Sequence, residues 1–338
     1  DNTTGYSNTA FGYRAAQNNT TGYNNIAYGN RAAYSNTTGH ANVAIGDATL
    51  YNSTTQQENI AIGDSALFNN GKGATIWYYA RRNVGIGVKA LYSNVVGYDN
   101  VAMGFKALYS NRSSFNTAHG YEALHSNING DGNSALGYRA LYENVEGDNN
   151  TAIGRYAGPD DGQTGLEFTT AIGAYAKVTA SNTIRIGNDY ITQIGGAVGW
   201  SNLSDGRFKT DVTPNVPGLE FIMKLEPITY HWDMDALDQF YRKEDSKDTL
   251  PKAMRKARQK KEEKIHTGFV AQQVEKAAKE IGYDFSGIRK PANEKSIYNL
   301  SYAEFVVPLV KAVQQQQQII DRQQKMIDKL MEEIEQLK

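Results

Sequence analysis

Two residues whose types could do chemistry stand together in the stretch SNLSDGRFKTDV, Ser201 to Val212, where Ser204 and Lys209 are five positions apart. A serine hydroxyl is a weak nucleophile near neutral pH and needs a neighbouring base. In the absence of a triad histidine, a lysine whose ammonium form is disfavoured by burial can serve. Taken alone, a Ser…Lys pair at this spacing is a weak signal, because surface loops contain many. Asp205 could cap the local turn, and Arg207 could pair with a carboxylate. His231 and His266 are rival bases, ranked below Lys209 because a lone histidine is more often a hydrogen-bonded core residue. The 338-residue chain has no cysteine, which removes disulfides, thiolate metal sites and thiol nucleophiles together.

The pair sits at a seam between two styles of sequence. Before it runs an internal repeat: NTAFGYRAA from Asn8, NIAYGNRAA from Asn25, NVAIGDATL from Asn42 and NIAIGDSAL from Asn59, continuing to NTAIGRYAG from Asn150. The anchoring glycines are Gly12, Gly29, Gly46, Gly63, Gly87, Gly104, Gly120, Gly137 and Gly154, and most steps are 17 residues. The longer step from Gly63 to Gly87 carries an insertion around GKGATIWYYA, Gly71 to Ala80, expected to protrude from the surface without breaking the core. Each N-x-A-x-G segment reads as a short strand with one small and one large inward position, the large one being Phe11, Ile45, Ile62, Ile86, Met103, Leu136 or Ile153. Ala-Leu pairs such as Ala66-Leu67 and Ala107-Leu108 supply the opposite wall. Asn-Thr-Thr-Gly turns use residues that tolerate left-handed backbone. One unit cannot bury its apolar stripe alone, so the units must stack as a β-solenoid or β-roll. The Asn column reads as an internal amide ladder in preference to a ligand site, since a ligand site seldom repeats along a whole rod.

After the seam the residues become more charged and glycines fewer. PGLEFIMKLEPITYHWD, Pro217 to Asp233, reads as a helix carrying Leu219, Ile222, Met223 and Leu225, then a strand with Tyr230 and Trp232. The charged run Arg242 to Lys264 reads as a solvated helical excursion. HTGFVAQQVEKAAKEIG is a strand entering a helix of Val274, Ala277, Ala278 and Ile281 that ends at Gly282. In the last helix, heptads from Val306 put Val306, Val313, Ile320, Ile327 and Ile334 at a, with Leu309, Gln316, Gln323, Leu330 and Leu337 at d. Val310, Ile319, Met326 and Met331 at e and g widen the apolar face beyond what two helices cover, which points to three strands.

The NTAIG…AL units resemble the head repeats of trimeric autotransporter adhesins, over most of Asp1 to Gly187, with a period longer than in the best-known heads. Ser204 to about Gln314 resembles the intramolecular chaperone domain of phage endosialidases and tail fibres, the S74 peptidase family. SDGRFKTDV, LEPITYHW, HTGFVAQQVEKA and SYAEFVVPLVKAVQ follow that family's block order. Phe208 stands where leucine is common and Gln273 where glutamate is common. This resemblance implies that Lys209 takes the proton from Ser204, which attacks the carbonyl of Leu203 in a single-turnover reaction helped by proximity. Asp205, Arg207, His266 and Gln272 are candidate supporting residues.

A formal net charge of -1 gives no overall electrostatic case for nucleic acid or a membrane surface. No apolar run approaches the roughly 18 residues of a membrane span. The chain opens on Asp1 with no signal-like apolar region, so either such a segment was removed or the chain is part of something longer. The expected fold is a trimeric left-handed β-roll or solenoid (1–199), a linker (200–203) ending at the scissile bond, a small α+β chaperone domain (204–304) and a trimeric coiled coil (305–338). The expected function is a homotrimeric tail-fibre or bacterial surface adhesin, extracellular, whose chaperone domain folds the repeats and then removes itself, without cofactors. Its receptor would be carbohydrate or a surface protein, contacted by turn Tyr and Asn or by Thr75 to Tyr79. Alternatives are a Ser-Lys hydrolase acting in trans, a self-cleaved membrane-tethered regulator and a monomeric solenoid. His119 occupies the slot that Met103 and Leu136 fill in neighbouring units. In a three-fold roll it would bring three imidazoles toward one axis, able to hold an anion or a metal ion, unless each is hydrogen-bonded within its own subunit.

Overall fold

A short strand needs its neighbours, and here each repeat supplies one. The computed structural model describes residues 2–76, 78–160, 162–241 and 252–337. By compactness the chain divides into two units, Asp1–Ile191 and Thr192–Lys338. In the first, the strands are β1 (Thr9–Phe11), β2 (Ile26–Tyr28), β3 (Val43–Ile45), β4 (Ile60–Ile62), β5 (Val84–Ile86), β6 (Val101–Met103) and β7 (Thr117–His119). They continue as β8 (Ser134–Leu136), β9 (Thr151–Ile153), β10 (Gly158–Pro159), β11 (Thr170–Ile172), β12 (Lys177–Val178) and β13 (Ile184–Ile186). All but β10 and β12 form one 11-stranded parallel sheet in sequence order, a β-solenoid; those two pair with each other. β11 and β13 add two rungs beyond the nine glycine-anchored units. The insertion after β4 leaves the ladder intact, since Ile60 still pairs with Val84. Lys72, Gly73, Thr75 and Ile76 within it are exposed, while Trp77 lies outside the described residues.

Inside each coil the strand contributes its central alanine and the return segment contributes Ala-Leu. Ala102, Ala107 and Leu108 are all fully buried, as are their equivalents Ala118, Ala123 and Leu124 one rung on. The large residue before each anchoring glycine is not inward as expected. Phe11, Ile45, Met103, Leu136 and Ile153 are exposed, on the outer face of the sheet, and so is His119. A coil whose walls are one strand and one Ala-Leu segment has room inside for small residues on the strand side only, so alternation sends the bulky ones out.

The expected Asn ladder is present, and it is double. In one column each Asn Oδ1 accepts the backbone N–H of the next, as in Asn100 to Asn83 at 3.1 Å and Asn116 to Asn100 at 3.0 Å. The other column uses the Asn of the turns, side chain to side chain: Asn127 Nδ2 donates to Asn111 Oδ1 at 2.8 Å and Asn144 Nδ2 to Asn127 Oδ1 at 2.9 Å. These turn asparagines tolerate left-handed backbone but do not adopt it. Instead, left-handed φ recurs at Lys106 (51°) and Leu108 (52°) and their equivalents. The turn glycine is required by close approach: a Cβ on Gly22 would lie 2.4 Å from the Gly39 carbonyl oxygen. Gly104 is required twice over, by φ of +132° and by the Gly120 carbonyl 2.4 Å from where its Cβ would be.

The second unit contains α1 (Leu219–Ile222), β14 (Ile228–Tyr230), α2 (Met234–Tyr241), α3 (Lys252–Glu263), β15 (His266–Gly268) and α4 (Ala271–Glu280). Then follow β16 (Ile288–Arg289), β17 (Asn299–Leu300) and the long α5 (Val306–Gln336). β14 pairs antiparallel with β15, and β16 with β17. The charged excursion lies outside the described residues over 242–251, and α3 is its helical remainder. The core gathers Phe221, Val274, Ala277, Ala278, Phe285 and Phe305. Phe221, fully buried, anchors α1; Ile222 and Leu225 of the expected apolar set pack against this core, whereas Met223, the residue that ends the helix, is 78% exposed. Gly218 lets α1 approach α5, because a Cβ there would meet the Ala312 nitrogen at 2.8 Å; the Gln315 side chain caps α1 by accepting the Leu219 N–H at 2.7 Å. α4 ends as expected at Gly282, in left-handed conformation at φ 65°.

Candidate functional site

Local geometry brings the seam residues together. Asp205 caps a single 3-10 turn, Gly206–Phe208, by accepting the Arg207 N–H at 2.9 Å. The Arg207 guanidinium returns to the same carboxylate, Nη2 to Oδ2 at 2.6 Å and Nε to Oδ2 at 2.9 Å. This pairing holds the Asp205 carboxyl below its ordinary range and raises Arg207. Lys209 closes the turn, its N–H donating to the Gly206 carbonyl at 3.2 Å. Ser204 and Lys209 flank this turn, one on each side, and across it Lys209 Nζ donates to Ser204 Oγ at 2.8 Å. Both side chains are exposed in the single chain, and Leu203 is 85% exposed.

The other candidates are elsewhere. His266 is on β15, stacked on Tyr230 with ring centroids 5.6 Å apart, and its buried Nε2 has no hydrogen-bond partner among the described residues. His231 Nδ1 is 2.8 Å from the Glu262 carbonyl oxygen. Gln272 is exposed in the first turn of α4, while Gln273, in the position where glutamate was expected, donates to Glu226 at 3.2 Å. Among the described residues none of these shares a hydrogen bond with Ser204 or Lys209.

Sequence reasoning did not find two ring assemblies. In the C-terminal unit, Phe221, Phe269, Phe285 and Phe305 pack as a cluster, and the Tyr302 hydroxyl accepts the Phe269 N–H at 3.0 Å. On the solenoid, Tyr34, Tyr51, Phe68, Tyr92, Tyr109, His125 and Tyr142 form one continuous stack with centroids 5.0–5.2 Å apart. Their faces cover one another, so this row packs and offers a sugar only ring edges. Each ring stands five residues after an anchoring glycine, a recurrence visible in the sequence.

Residues 204–283 match the family model described as chaperone of endosialidase, Peptidase_S74, and the match opens on the serine of the pair. The chain is a β-solenoid followed by an S74 chaperone domain. No curated protein and no solved structure matches it. Such a domain behind a β-solenoid fits a tail-fibre or adhesin-like protein. The S74 family implies a self-cleaving peptidase and trimeric assembly, and suggests an extracellular or virion location. Among the described residues, no helix is long and apolar enough to cross a membrane.

Proposed function

We propose that the protein is a homotrimeric tail-fibre or surface adhesin. Its S74 domain, with the coiled coil of α5, brings three solenoids into register, then releases itself by cutting the Leu203–Ser204 bond. The observation that carries this reading is the 2.8 Å bond between Lys209 and Ser204 at the first residue of the matched segment. In the reaction, Ser204 Oγ attacks the Leu203 carbonyl carbon as Lys209 accepts the hydroxyl proton. The amide C–N bond breaks with protonation of the departing Ser204 nitrogen, and water hydrolyses the resulting ester. To accept the proton the amine must be neutral, a form that removal of water favours. In one chain the pair is open to solvent, so shielding by neighbouring copies would couple cleavage to completed assembly.

Trimerisation is supported by the apolar residues that a single chain leaves uncovered. Val306, Leu309, Val313, Ile320, Ile327, Leu330 and Ile334, the apolar a and d positions up to the last heptad, are 48–57% exposed. The outer sheet face of the solenoid adds the exposed Ile26, Ile45, Ile60, Met103, Leu136 and Ile153, and an exposed apolar face of this kind marks an interaction surface. Identical repeats can pair in many registers, since a slip of one unit loses only end contacts, so a trimerising domain at one end fixes the alignment. An extracellular receptor of carbohydrate or protein follows from the adhesin reading.

Intact-mass measurement of the freshly expressed chain tests cleavage: wild type yields two fragments that meet at Leu203–Ser204, and Ser204→Ala stays whole. A Ser204→Ala chain cut as fast as wild type would sink the assignment. Expression of residues 1–203 alone tests the chaperone role. If they form a soluble trimer with the heat resistance of the cleaved product, the S74 domain is not needed for folding.

A further inference from the structure

We infer that the outer sheet face carries a metal site completed by three copies of the chain, in which His119 of each copy ligates one divalent transition-metal ion. The inference rests on the trimeric reading above. Parallel in-register pairing aligns Ile86, Met103, His119, Leu136 and Ile153 in one row, so a single imidazole interrupts an otherwise apolar column. The adjoining row changes at the same height, from Val101 to Thr117, Ser134 and Thr151. The face therefore turns polar where the imidazole stands.

His119 is exposed on β7, and among the described residues its imidazole makes no hydrogen bond within its own chain. The alternative of an imidazole satisfied by its own subunit thus lacks a partner. Covering this face by other copies would take both ring nitrogens out of water, a cost that neighbouring Met, Leu and Ile cannot offset. No group of three or more ligating residues occurs among the described residues of one chain, so a site here must combine copies. A neutral imidazole offers one lone pair and one N–H. Symmetry gathers three equivalent lone pairs, a donor set that suits zinc and similar ions and leaves one position for water.

The intact protein, stripped with chelator, is titrated with Co2+ alone and then with Zn2+ alone, while sedimentation reports the oligomer. The expected result is one metal ion per three chains and the absorption bands of tetrahedral Co2+. His119→Leu, which places in this row the residue already present at Leu136, should remain trimeric and lose the ion; His40→Leu should keep it. A trimer that binds no ion, or a His119→Leu trimer that binds as wild type does, overturns the site alone. A monomer in sedimentation overturns the site together with the trimeric reading.

Discussion

Leu108 in the solenoid is fully buried within its own chain, whereas Leu330 in α5 is 52% exposed. That contrast runs through both units. The solenoid fills the inside of its coils with Ala and Leu and satisfies its buried amides by two Asn ladders, so each rung completes the one before it. The C-terminal unit has a small ring-lined core and a long helix whose apolar stripe has no cover in its own chain. A region whose interior contacts are all with the next repeat persists once formed, but its near-identical rungs select only weakly where the chains align. A region left incomplete as a single chain does the opposite: it demands partners, and its chemistry can wait for them.

The sharpest way to break this comparison is to spoil the helix stripe and read the chemistry at the seam. Ile320→Glu with Ile327→Glu should leave the chain monomeric in sedimentation and uncleaved by mass, a near-complete loss. Cleavage at the wild-type rate in a monomer would separate the dyad from assembly. A smaller effect compares the two leucines directly. Leu108→Ala should cost about 2–5 kcal/mol of solenoid stability in denaturant unfolding. Leu330→Ala should leave secondary structure unchanged and weaken association only. Equal loss of monomer stability would deny that the regions differ.

Asn100→Ala tests whether the ladder or the apolar lining holds the coil. The side chain accepts from the Asn116 N–H at 3.0 Å and donates to the Ser113 carbonyl at 2.8 Å; its loss strands the buried N–H, while the carbonyl keeps Asn111 Nδ2 at 2.7 Å. The expected cost is about 2–3 kcal/mol, measured by thermal unfolding of the released rod. The smallest effect concerns the C-terminal unit's own electrostatics. Hydrogen bonds from Lys279, Lys290 and Tyr298 lower the Glu275 carboxyl from its ordinary 4.5 to about 2. A depressed folded value contributes stability that is present above about pH 4.5 and lost as pH falls toward 2. Glu275→Gln should flatten that part of the unfolding profile, with no change in the solenoid's own transition.

Much of the site was legible because it is local. Ser204, Asp205, Arg207 and Lys209 lie within one capped turn, and a carboxylate two residues before an arginine is enough to shape it. The supporting roles expected of His266 and Gln272 were not readable at that range: the two residues stand on β15 and α4, and among the described residues neither hydrogen-bonds to Ser204 or Lys209. The rings of the C-terminal core are spread from Phe221 to Phe305 and have no period to reveal them. On the solenoid the second Asn column did recur at a fixed offset. Its residues resemble turn formers, and a turn reading hides a buried ladder.

The sequence by itself determined the repeat, its anchoring glycines, the stacking it requires and the seam where it stops. A 17-residue period leaves each unit unable to bury its apolar stripe without the next. Which face of the strand lies inside was decided only by tertiary structure. Alternation separates Ala102 from Val101 and Met103, yet it says nothing about which set faces the interior. The width of the coil makes that choice: opposed by Leu108 and its neighbours, the interior admits an alanine on the strand side, and the bulky residues are left on the outside for another surface to cover.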